Sequence, residues 1–398
     1  MLAEMETTAG AVEALREELV ETRRRLHREP ELGFQEVNTA LLIAARLRAT
    51  PGVEDIREGV GGTGVTALIR GSRPGPVLLL RADIDALPIH EATGAAYAST
   101  VDGVMHACGH DGHTAILLAV ARLLAERRDS IAGTAFLVFQ PAEEILTGAQ
   151  AMLDDGLWDI PGAPIGAMLG LHLANWLPLG TVGVRVGPSF AAVDRFTVTI
   201  TGRGGHGAHP DMAIDPIVTA AETVLSLQRV VSREVSPLER AVLSVCQIES
   251  GTAFNIIPQE ARLVGTVRTF NPHVRAAIAA AMERIVAGVA AAGAATHRLE
   301  IEAGPPAVVN DAAICDLVRR AAAPVVGPAN VIEPNPTMGG DDVALFLQRA
   351  PGCYFLVGSA DPSRGLDAPH HHPRFDIAEE ALATAATVFA DAALAYLR

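Results

Sequence analysis

The 398-residue sequence lacks several features that would assign it to other classes of protein. It has no run of about 18 uncharged apolar residues, because Glu283 and Arg284 interrupt its most apolar long stretch (277–296), so no membrane span is expected. The acidic N-terminus shows no apolar core ahead of a cleavage site, which predicts no secretory signal peptide. The four cysteines are scattered without a pairing pattern, which favours a reducing cytoplasm.

Basic residues are also in short supply. Lys and Arg number 31 against 46 Asp and Glu, for a formal net charge of −15, and phosphate binding needs a basic surface. A nucleic-acid partner is therefore not expected. Hydrophobic residues make up 49% of the chain, which favours a large core, and the length allows two or three domains of roughly 100–200 residues each.

Apolar strands and helices alternate in the first half of the chain. Apolar runs predict strands at 64–71, 76–88, 133–144 and 165–172, and apolar residues at helical spacing predict helices at 11–26, 39–48 and 114–128. Asp111 is placed to cap the last of these helices. Such alternation predicts an α/β fold in which a mostly parallel sheet has helices on both faces.

The pattern changes near residue 190 to the order βαββαβ, which predicts a ferredoxin-like α+β sandwich. Its predicted elements are strand 194–202, helix 215–232, strands 241–251 and 260–270, helix 274–292 and strand 297–304. Helix 311–323 and strand 352–359 then resume the first pattern. We therefore predict a discontinuous catalytic α/β domain at 1–190 and 305–398, interrupted by a satellite domain at 191–304.

Residues that bind metals or move protons cluster at or just past the carboxyl ends of predicted parallel strands, where open α/β sheets bind ligands. The clusters are Asp83 and Asp85, Cys108 and His110, Glu143 and Glu144, His172, and His370–His372. Imidazole, thiolate and carboxylate are ligands of zinc and related first-row metals. Glu143 and Glu144 are adjacent and point differently, so one can bind metal while the other moves protons, as metal-assisted hydrolysis requires.

Other interpretations of these residues stay open at this point. Cys108 and His110 could form a nucleophile and base, although residues two apart rarely have that geometry and the acidic pair would go unused. A binding-only module would show a degenerate site, whereas the candidate ligands and base are all present. The remaining histidines are expected to bind nothing, with His113 helping to start its helix; they are His27, His90, His106, His113, His273 and His297.

Seven motifs occur along the chain: RADIDALP (81–88), MHACGHDGH (105–113), QPAEE (140–144), GGHGAHP (204–210), GTAFNIIP (251–258), GTVRTF (265–270) and HHHPRFD (370–376). Together they resemble the M20 metallopeptidase family, and within it the branch of aminoacylases and amidohydrolases that includes N-acyl-amino-acid amidohydrolases, hippurate hydrolases and auxin-conjugate hydrolases. The resemblance runs from LHREPELGFQE (26–36) to the C-terminus.

The resemblance implies a dinuclear site for two divalent ions, which could be Zn, Mn, Co or Ni. The implied metal ligands are Cys108, His110, Glu144, His172 and His371. Glu143 matches the general base, and His206 matches a satellite-domain histidine that stabilises the oxyanion, often from the partner subunit in dimeric relatives. Asn255 and Arg268 match substrate-binding positions. The satellite domain would be a lid and dimerisation module, in a homodimer or homotetramer.

The implied activity is hydrolysis of the amide bond of N-acyl amino acids. Metal-bound hydroxide would attack the carbonyl, while Glu143 takes the proton and later delivers it to the leaving nitrogen. A dipeptidase or carboxypeptidase with the same site is the alternative. Three adjacent histidines leave the last ligand open, and His371 is favoured by its place two residues before Pro373. Asp85 is expected to orient a ligand, and Asp83 has no assigned role.

Overall fold

The computed structural model describes residues 7–398, so the part of the N-terminal interpretation that falls on residues 1–6 lies outside the described residues. The chain divides into two compact units. Unit 1 comprises Met1–Gly187, Val309–Asn335 and Asp342–Arg398, and unit 2 comprises Pro188–Val308 and Pro336–Asp341. Sequence analysis placed the last of these segments in the α/β domain.

The α-helices of the described chain are α1 (Thr8–Ala14), α2 (Arg16–Arg28), α3 (Val37–Arg48), α4 (His110–Glu126), α5 (Gly148–Asp154), α6 (Pro216–Arg229), α7 (Pro272–Ala292), α8 (Ala312–Val326), α9 (Ala344–Leu347) and α10 (Glu380–Tyr396). A π-helical turn, Val230–Glu234, continues α6. Within residues 7–398, no helix combines the length and the apolarity needed to cross a bilayer.

The strands are β1 (Glu54–Val60), β2 (Gly64–Arg70), β3 (Arg73–Asp83), β4 (Ala132–Gln140), β5 (Ile165–Pro178), β6 (Val182–Gly183), β7 (Gly187–Phe190), β8 (Ala192–Thr201), β9 (Gly205–His206), β10 (Ala241–Ser250), β11 (Ile256–Ile257), β12 (Glu260–Thr269), β13 (Thr296–Ala303), β14 (Val308–Asn310), β15 (Val331–Ile332) and β16 (Gly352–Ala360).

Unit 1 is built on an eight-stranded sheet of order β1-β2-β4-β3-β5-β16-β6-β15. Its centre is parallel, because β3 pairs in parallel with both β4 and β5, and β5 pairs in parallel with β16. The carboxyl ends of β3 and β4 therefore meet at one edge, where Asp83 lies opposite Gln140. Unit 1 thus has the predicted α/β fold with a mostly parallel sheet.

The two faces of this sheet differ in chemistry. Leu78, Leu80 and Ala82 alternate along β3 and belong to one apolar core with residues of α4, α8 and α10. The intervening positions include Arg81 and Asp83, which are also almost completely buried. Side chains alternate between faces along a strand, so the second face carries buried charge directly beneath the candidate site.

Unit 2 contains a four-stranded antiparallel sheet of order β10-β12-β8-β13. Along the chain its elements run β8-α6-β10-β12-α7-β13, the predicted βαββαβ order. The helices and the sheet share their own apolar core, which includes Phe196, Leu263 and Met282. The predicted fold class, with a ferredoxin-like insertion, is confirmed.

Two local predictions are wrong, and both bear on the site. Strand β5 continues six residues past His172, because apolar Leu173, Ala174 and Leu177 remain buried, so His172 lies within a strand rather than at its end. Asp111 does not cap α4. The N-cap is Gly109, and Asp111 lies in the first helical turn, where its carboxylate pairs with Arg23.

Candidate metal centre

The start of α4 holds the first two candidate ligands. Gly109 separates Cys108 from His110 and has φ +90°, a conformation that an L-residue rarely adopts. The turn brings Cys108 Sγ and a ring nitrogen of His110 within 4.8 Å of each other and of a ring nitrogen of His172 on β5. His172 donates from Nδ1 to the carbonyl oxygen of Leu173 (2.6 Å), so its lone pair is on Nε2, 3.5 Å from Cys108 Sγ.

His110 is oriented by Asp85. Its Nδ1 lies 3.0 Å from the carbonyl oxygen of Asp85 and 3.2 Å from the Oδ1 atom of the same residue. The other carboxylate oxygen of Asp85 accepts a hydrogen bond from the backbone N–H of Glu144 (2.9 Å). Asp85 therefore fixes both a histidine ring and the segment that carries the acidic pair, in agreement with the role expected for it.

Two buried polar atoms face each other at this point. His110 Nε2 and Glu144 Oε1 lie 3.8 Å apart, and neither has a hydrogen-bond partner among residues 7–398. A buried polar atom without a partner costs about 1–3 kcal/mol. A divalent cation between a neutral imidazole and a carboxylate would satisfy both atoms, so the donor set fits a metal ion.

A second group of possible ligand atoms is formed by Cys108, Glu144 and His371, again within 4.8 Å of one another. His371 Nε2 lies 3.3 Å from Glu144 Oε2, and the backbone N–H of His371 donates to the carbonyl oxygen of Ala107 (2.8 Å). His371 has φ +63° and Ala142, just before the acidic pair, has φ +53°. Such backbone strain costs of order 1–3 kcal/mol and is concentrated at functional sites.

The three adjacent histidines have different surroundings. His370 accepts a hydrogen bond at Nε2 from the backbone N–H of Asn175 (3.1 Å), which leaves Nδ1 as a donor 3.6 Å from Cys108 Sγ. His372 accepts at Nδ1 from the backbone N–H of Arg374 (3.1 Å). His371 is thus the member of the three whose ring nitrogen lies next to Glu144.

Glu143 lies beside the same cluster. Its carboxylate is buried, with Oε2 3.9 Å from His110 Nε2, and it forms a third group of oxygen and nitrogen atoms within 4.8 Å together with His110 and Glu144. The structure therefore brings together all six residues that sequence analysis named around the metals: Cys108, His110, Glu143, Glu144, His172 and His371.

Sequence analysis missed a buried hydrogen-bond relay behind these residues. Asp83 Oδ1 accepts from His113 Nδ1 (2.6 Å), and His113 Nε2 accepts from the backbone N–H of Leu173 (2.9 Å), next to His172. Both ring nitrogens of His113 are therefore engaged, which leaves none for a metal. Arg81 Nη1 lies 2.6 Å from Asp83 Oδ2 and compensates its charge. The sequence signal was the charged RAD triplet that ends an otherwise apolar strand.

The carboxylates of the centre raise the pKa values of the neighbouring His110 and Cys108, as expected where negative charge lacks a compensating cation. Burial opposes protonation of His110, but the carboxylates of Asp83 and Asp85 outweigh it and raise its pKa to about 10. Burial raises the pKa of the Cys108 thiol well above its ordinary value, and the charges of Glu144 and Glu143 raise it further. The thiolate, which is both the nucleophilic and the metal-binding form of cysteine, is therefore disfavoured here unless a cation binds nearby.

Two of the three other predicted site residues lie together in unit 2. Strand β9 pairs with β11, which places His206 opposite Ile256, and the backbone N–H of Gly207 donates to the carbonyl oxygen of Asn255 (2.9 Å). The side chains of His206 and Asn255 are exposed. His206 Nδ1 accepts from the backbone N–H of Ala208 (3.0 Å), so a neutral ring carries its proton on Nε2 and can donate it.

Arg268 lies elsewhere in unit 2, on β12 between Val242 of β10 and Val193 of β8. It is partly buried, and this burial lowers the pKa of its guanidinium although Asp194 acts in the opposite direction. Within residues 7–398 its side chain makes no hydrogen bond or ion pair. A partly desolvated and unpaired guanidinium is suited to binding a carboxylate.

Comparison with known proteins decides the family. Residues 79–395 match the sequence profile of "Peptidase family M20/M25/M40". The chain belongs to this family. The matched range contains the whole of the candidate metal centre, from Asp83 to His371, so the resemblance noted from the motifs is confirmed.

Similar M20 proteins include enzymes of two activities. An N-acetylcysteine deacetylase from Bacillus subtilis is 41% identical over 97% of this chain and 99% of its own length. Thermostable carboxypeptidase 1 from Saccharolobus solfataricus is 37% identical over 95% of each chain. The crystal structure of a dinuclear metal-binding M20 peptidase from Bacillus subtilis superposes with a TM-score of 0.82 at 37% identity, over 97% of this chain and 99% of that one.

This M20 protein is therefore a hydrolase, and its relatives include amidohydrolases and a dinuclear metal-binding peptidase. Membership agrees with the donor chemistry of the centre, since sulfur, imidazole and carboxylate atoms from four separate segments meet within 4.8 Å in overlapping groups.

Proposed function

We propose that this M20 hydrolase cleaves the amide bond of N-acyl amino acids and releases a carboxylate and a free amino acid. The observation that carries the proposal is a pair of buried atoms, His110 Nε2 and Glu144 Oε1, which lie 3.8 Å apart among thiol, imidazole and carboxylate groups and have no hydrogen-bond partner in residues 7–398. The proposed ligands of two divalent ions are Cys108, His110, Glu144, His172 and His371.

Divalent ions bound there would polarise the amide carbonyl and lower the pKa of water. Glu143 takes a proton from the attacking water and transfers it to the leaving nitrogen. Its carboxylate is buried with Oε2 3.9 Å from Nε2 of the proposed ligand His110, which would place it beside water held by the ions. Asp85 holds the His110 ring and the Glu144 backbone in place during the reaction.

Unit 2 is proposed to recognise the substrate. His206 would donate its Nε2 proton to the developing oxyanion, and the Nδ1 hydrogen bond from Ala208 supports that tautomer. Arg268 would bind the carboxylate of the amino acid, which explains a partly buried guanidinium without an acidic partner in residues 7–398. Asn255, exposed beside His206, would contact the acyl group or the amide.

A reconstitution assay tests the proposal. Purified protein is stripped with a chelator, reloaded separately with Zn, Mn, Co or Ni, and assayed on a panel that includes N-acetyl-L-cysteine, N-acetyl-L-methionine and N-benzoylglycine. We expect no turnover in the stripped protein and recovery with at least one metal at about two ions per chain. Full turnover by the stripped protein would exclude the proposed mechanism.

The second candidate, a dipeptidase or carboxypeptidase with the same metal centre, is favoured by the similarity to a thermostable carboxypeptidase. The two activities differ in what precedes the scissile amide. N-acetyl-L-methionine, L-alanyl-L-methionine and N-acetyl-L-alanyl-L-methionine share the leaving amino acid and separate the alternatives. Preference for the first substrate supports an aminoacylase, whereas preference for either of the others supports a peptidase.

We further propose a homodimer or homotetramer in the cytoplasm. The four cysteines are free thiols, which suits a reducing compartment. Unit 2 exposes large apolar side chains on α6 and on β10, the edge strand of its sheet, including Ile217, Leu225 and Ile248. Exposed apolar side chains and an open sheet edge are typical of protein–protein interfaces.

A further inference from the structure

We infer that Arg23 is a positioning residue that keeps the His110 and His371 segments of the metal centre in one arrangement. The inference rests on the proposed function, because it concerns the residues that would hold the two ions. Arg23 lies on α2, at a position that the sequence motifs of the centre do not include, and its side chain has no exposure to solvent.

The guanidinium of Arg23 contacts three carboxylates: Glu379, 3.4 Å from its Nη1, and two nearer ones from distant parts of the chain. Its Nε lies 2.7 Å from Asp111 Oδ2, and its Nη2 lies 2.8 Å from Asp376 Oδ1. Asp111 directly follows His110, and Asp376 lies five residues after His371. We call Arg23, Asp111 and Asp376 the arginine bridge; it links the two ligand-bearing segments without contacting a metal ligand atom.

Neighbouring groups hold both carboxylates of the arginine bridge in place. His27, which was expected to have no functional role, lies with Nδ1 2.7 Å from the Oδ2 atom of Asp111, and Tyr97 donates its hydroxyl to Asp376 Oδ2 (2.7 Å). The Arg23 guanidinium also lies over the Tyr97 ring, 4.9 Å from its centroid. The bridge is thus fixed from several sides, as a residue that sets distances must be.

The arginine bridge links a residue next to His110, in one group of possible ligands, with a residue near His371, in the other. One group consists of Cys108, His110 and His172, and the other of Cys108, Glu144 and His371. Cys108 is common to both, so the distance between the ions depends on how the His371 segment sits relative to the start of α4. The planar guanidinium reaches two carboxylates in different directions at once, which the single ammonium of lysine does not reproduce.

The test measures metal binding rather than turnover. Wild-type protein, Arg23→Lys and Arg23→Gln are stripped and titrated with Co²⁺ against a competing chelator, while the thiolate-to-cobalt absorption band and the ligand-field bands are recorded. For the Co²⁺ ion that is bound with the lower affinity, we expect both variants to bind about 10–100-fold less tightly, the range seen when residues that hold metal ligands in place are removed. The ligand-field bands should also change.

Arg24→Gln is the matched control. Arg24 follows Arg23 on α2 and shares its weaker partner, Glu379, but its side chain is 43% exposed and contacts neither Asp111 nor Asp376. It should bind both ions as the wild type does. Asp376→Asn is a second variant, for use if Arg23→Gln does not fold. It keeps the Arg23–Asp111 pair and removes the charge only from the link to the His371 segment. We expect it, too, to weaken Co²⁺ binding.

Three outcomes separate the possibilities. Wild-type protein that binds no Co²⁺ would overturn the proposed function and the inference with it. Wild-type protein that binds two ions, with Arg23 and Asp376 variants of unchanged affinity and unchanged spectra, would overturn the inference alone. A lower melting temperature with wild-type affinity would assign Arg23 a purely structural role and also contradict the inference.

Discussion

Glu143 and Glu144 are consecutive residues in different surroundings. Glu144 shares a group of possible ligand atoms with Cys108 and His371, with one oxygen 3.3 Å from His371 Nε2, whereas Glu143 Oε2 lies 3.9 Å from His110 Nε2. We therefore expect Glu143→Gln to lower kcat by about 10²–10⁴-fold, the usual contribution of a general base, with two ions still bound. Turnover and metal content measured on the same preparation check this.

Glu144→Gln is the control at the neighbouring position. It replaces a proposed ligand, so metal content should fall together with activity. If Glu143→Gln lost metal while Glu144→Gln kept both ions, the roles of the two residues would have to be exchanged.

The residues of the centre were predictable from the sequence because their chemistry is specialised. A thiol, several imidazoles and paired carboxylates stood out next to predicted strand ends, and the family motifs supplied their roles. The residues behind them were not predictable, since the partners of His113, Asp83 and Arg23 come from segments far away in sequence. His27 illustrates this: alone it suggests nothing, and only the fold places it against Asp111.

At the scale of elements, the start of α4 sets the spacing of two proposed ligands, Cys108 and His110. Gly109 has φ +90°, and a Cβ atom added there would lie 3.5 Å from Leu173 Cβ, an ordinary contact. Conformation rather than space therefore limits this position. We expect Gly109→Ala to lower the free energy of unfolding by about 1–2 kcal/mol, measured by chemical denaturation, and to weaken metal binding.

Gly156→Ala serves as the comparison. Gly156 also has a positive φ of +81°, with nothing within 4 Å of an added Cβ, and it belongs to a turn after α5 rather than to the ligand segment. It should lose a similar free energy of unfolding with unchanged metal affinity. Equal effects of both substitutions on metal binding would show that Gly109 has no particular importance for the centre.

The main elements followed from apolar periodicity, and the errors have physical causes. The end of β5 was placed at His172 because a histidine interrupts the apolar run, but pairing with β16 continues past it, where Val357 lies opposite Leu173 and Gly358 opposite Ala174. The predicted cap of α4 relied on the type of residue alone. Asp111 makes a stronger interaction with buried Arg23 than a cap would provide, and the N-cap position is occupied by Gly109 instead.

At the scale of the whole molecule, the exposed apolar surface of unit 2 predicts self-association. Leu225 on α6 is 72% exposed and Ile248 on the edge strand β10 is 61% exposed. We expect wild-type protein to have at least twice the monomer mass by light scattering coupled to size exclusion, and Leu225→Glu to shift it towards monomer. Leu41→Glu, at a leucine of α3 in unit 1 that is 53% exposed, should leave the mass unchanged.

The Leu225→Glu variant also determines in which subunit His206 acts. Its ring is exposed, and its Nε2 proton is available for donation whether the substrate lies in its own subunit or in a partner. A Leu225→Glu monomer with both ions bound should lose about 10²–10³-fold in kcat if His206 serves the partner subunit, because one oxyanion donor is then missing. A monomer with wild-type kcat would instead require every catalytic group to come from one chain.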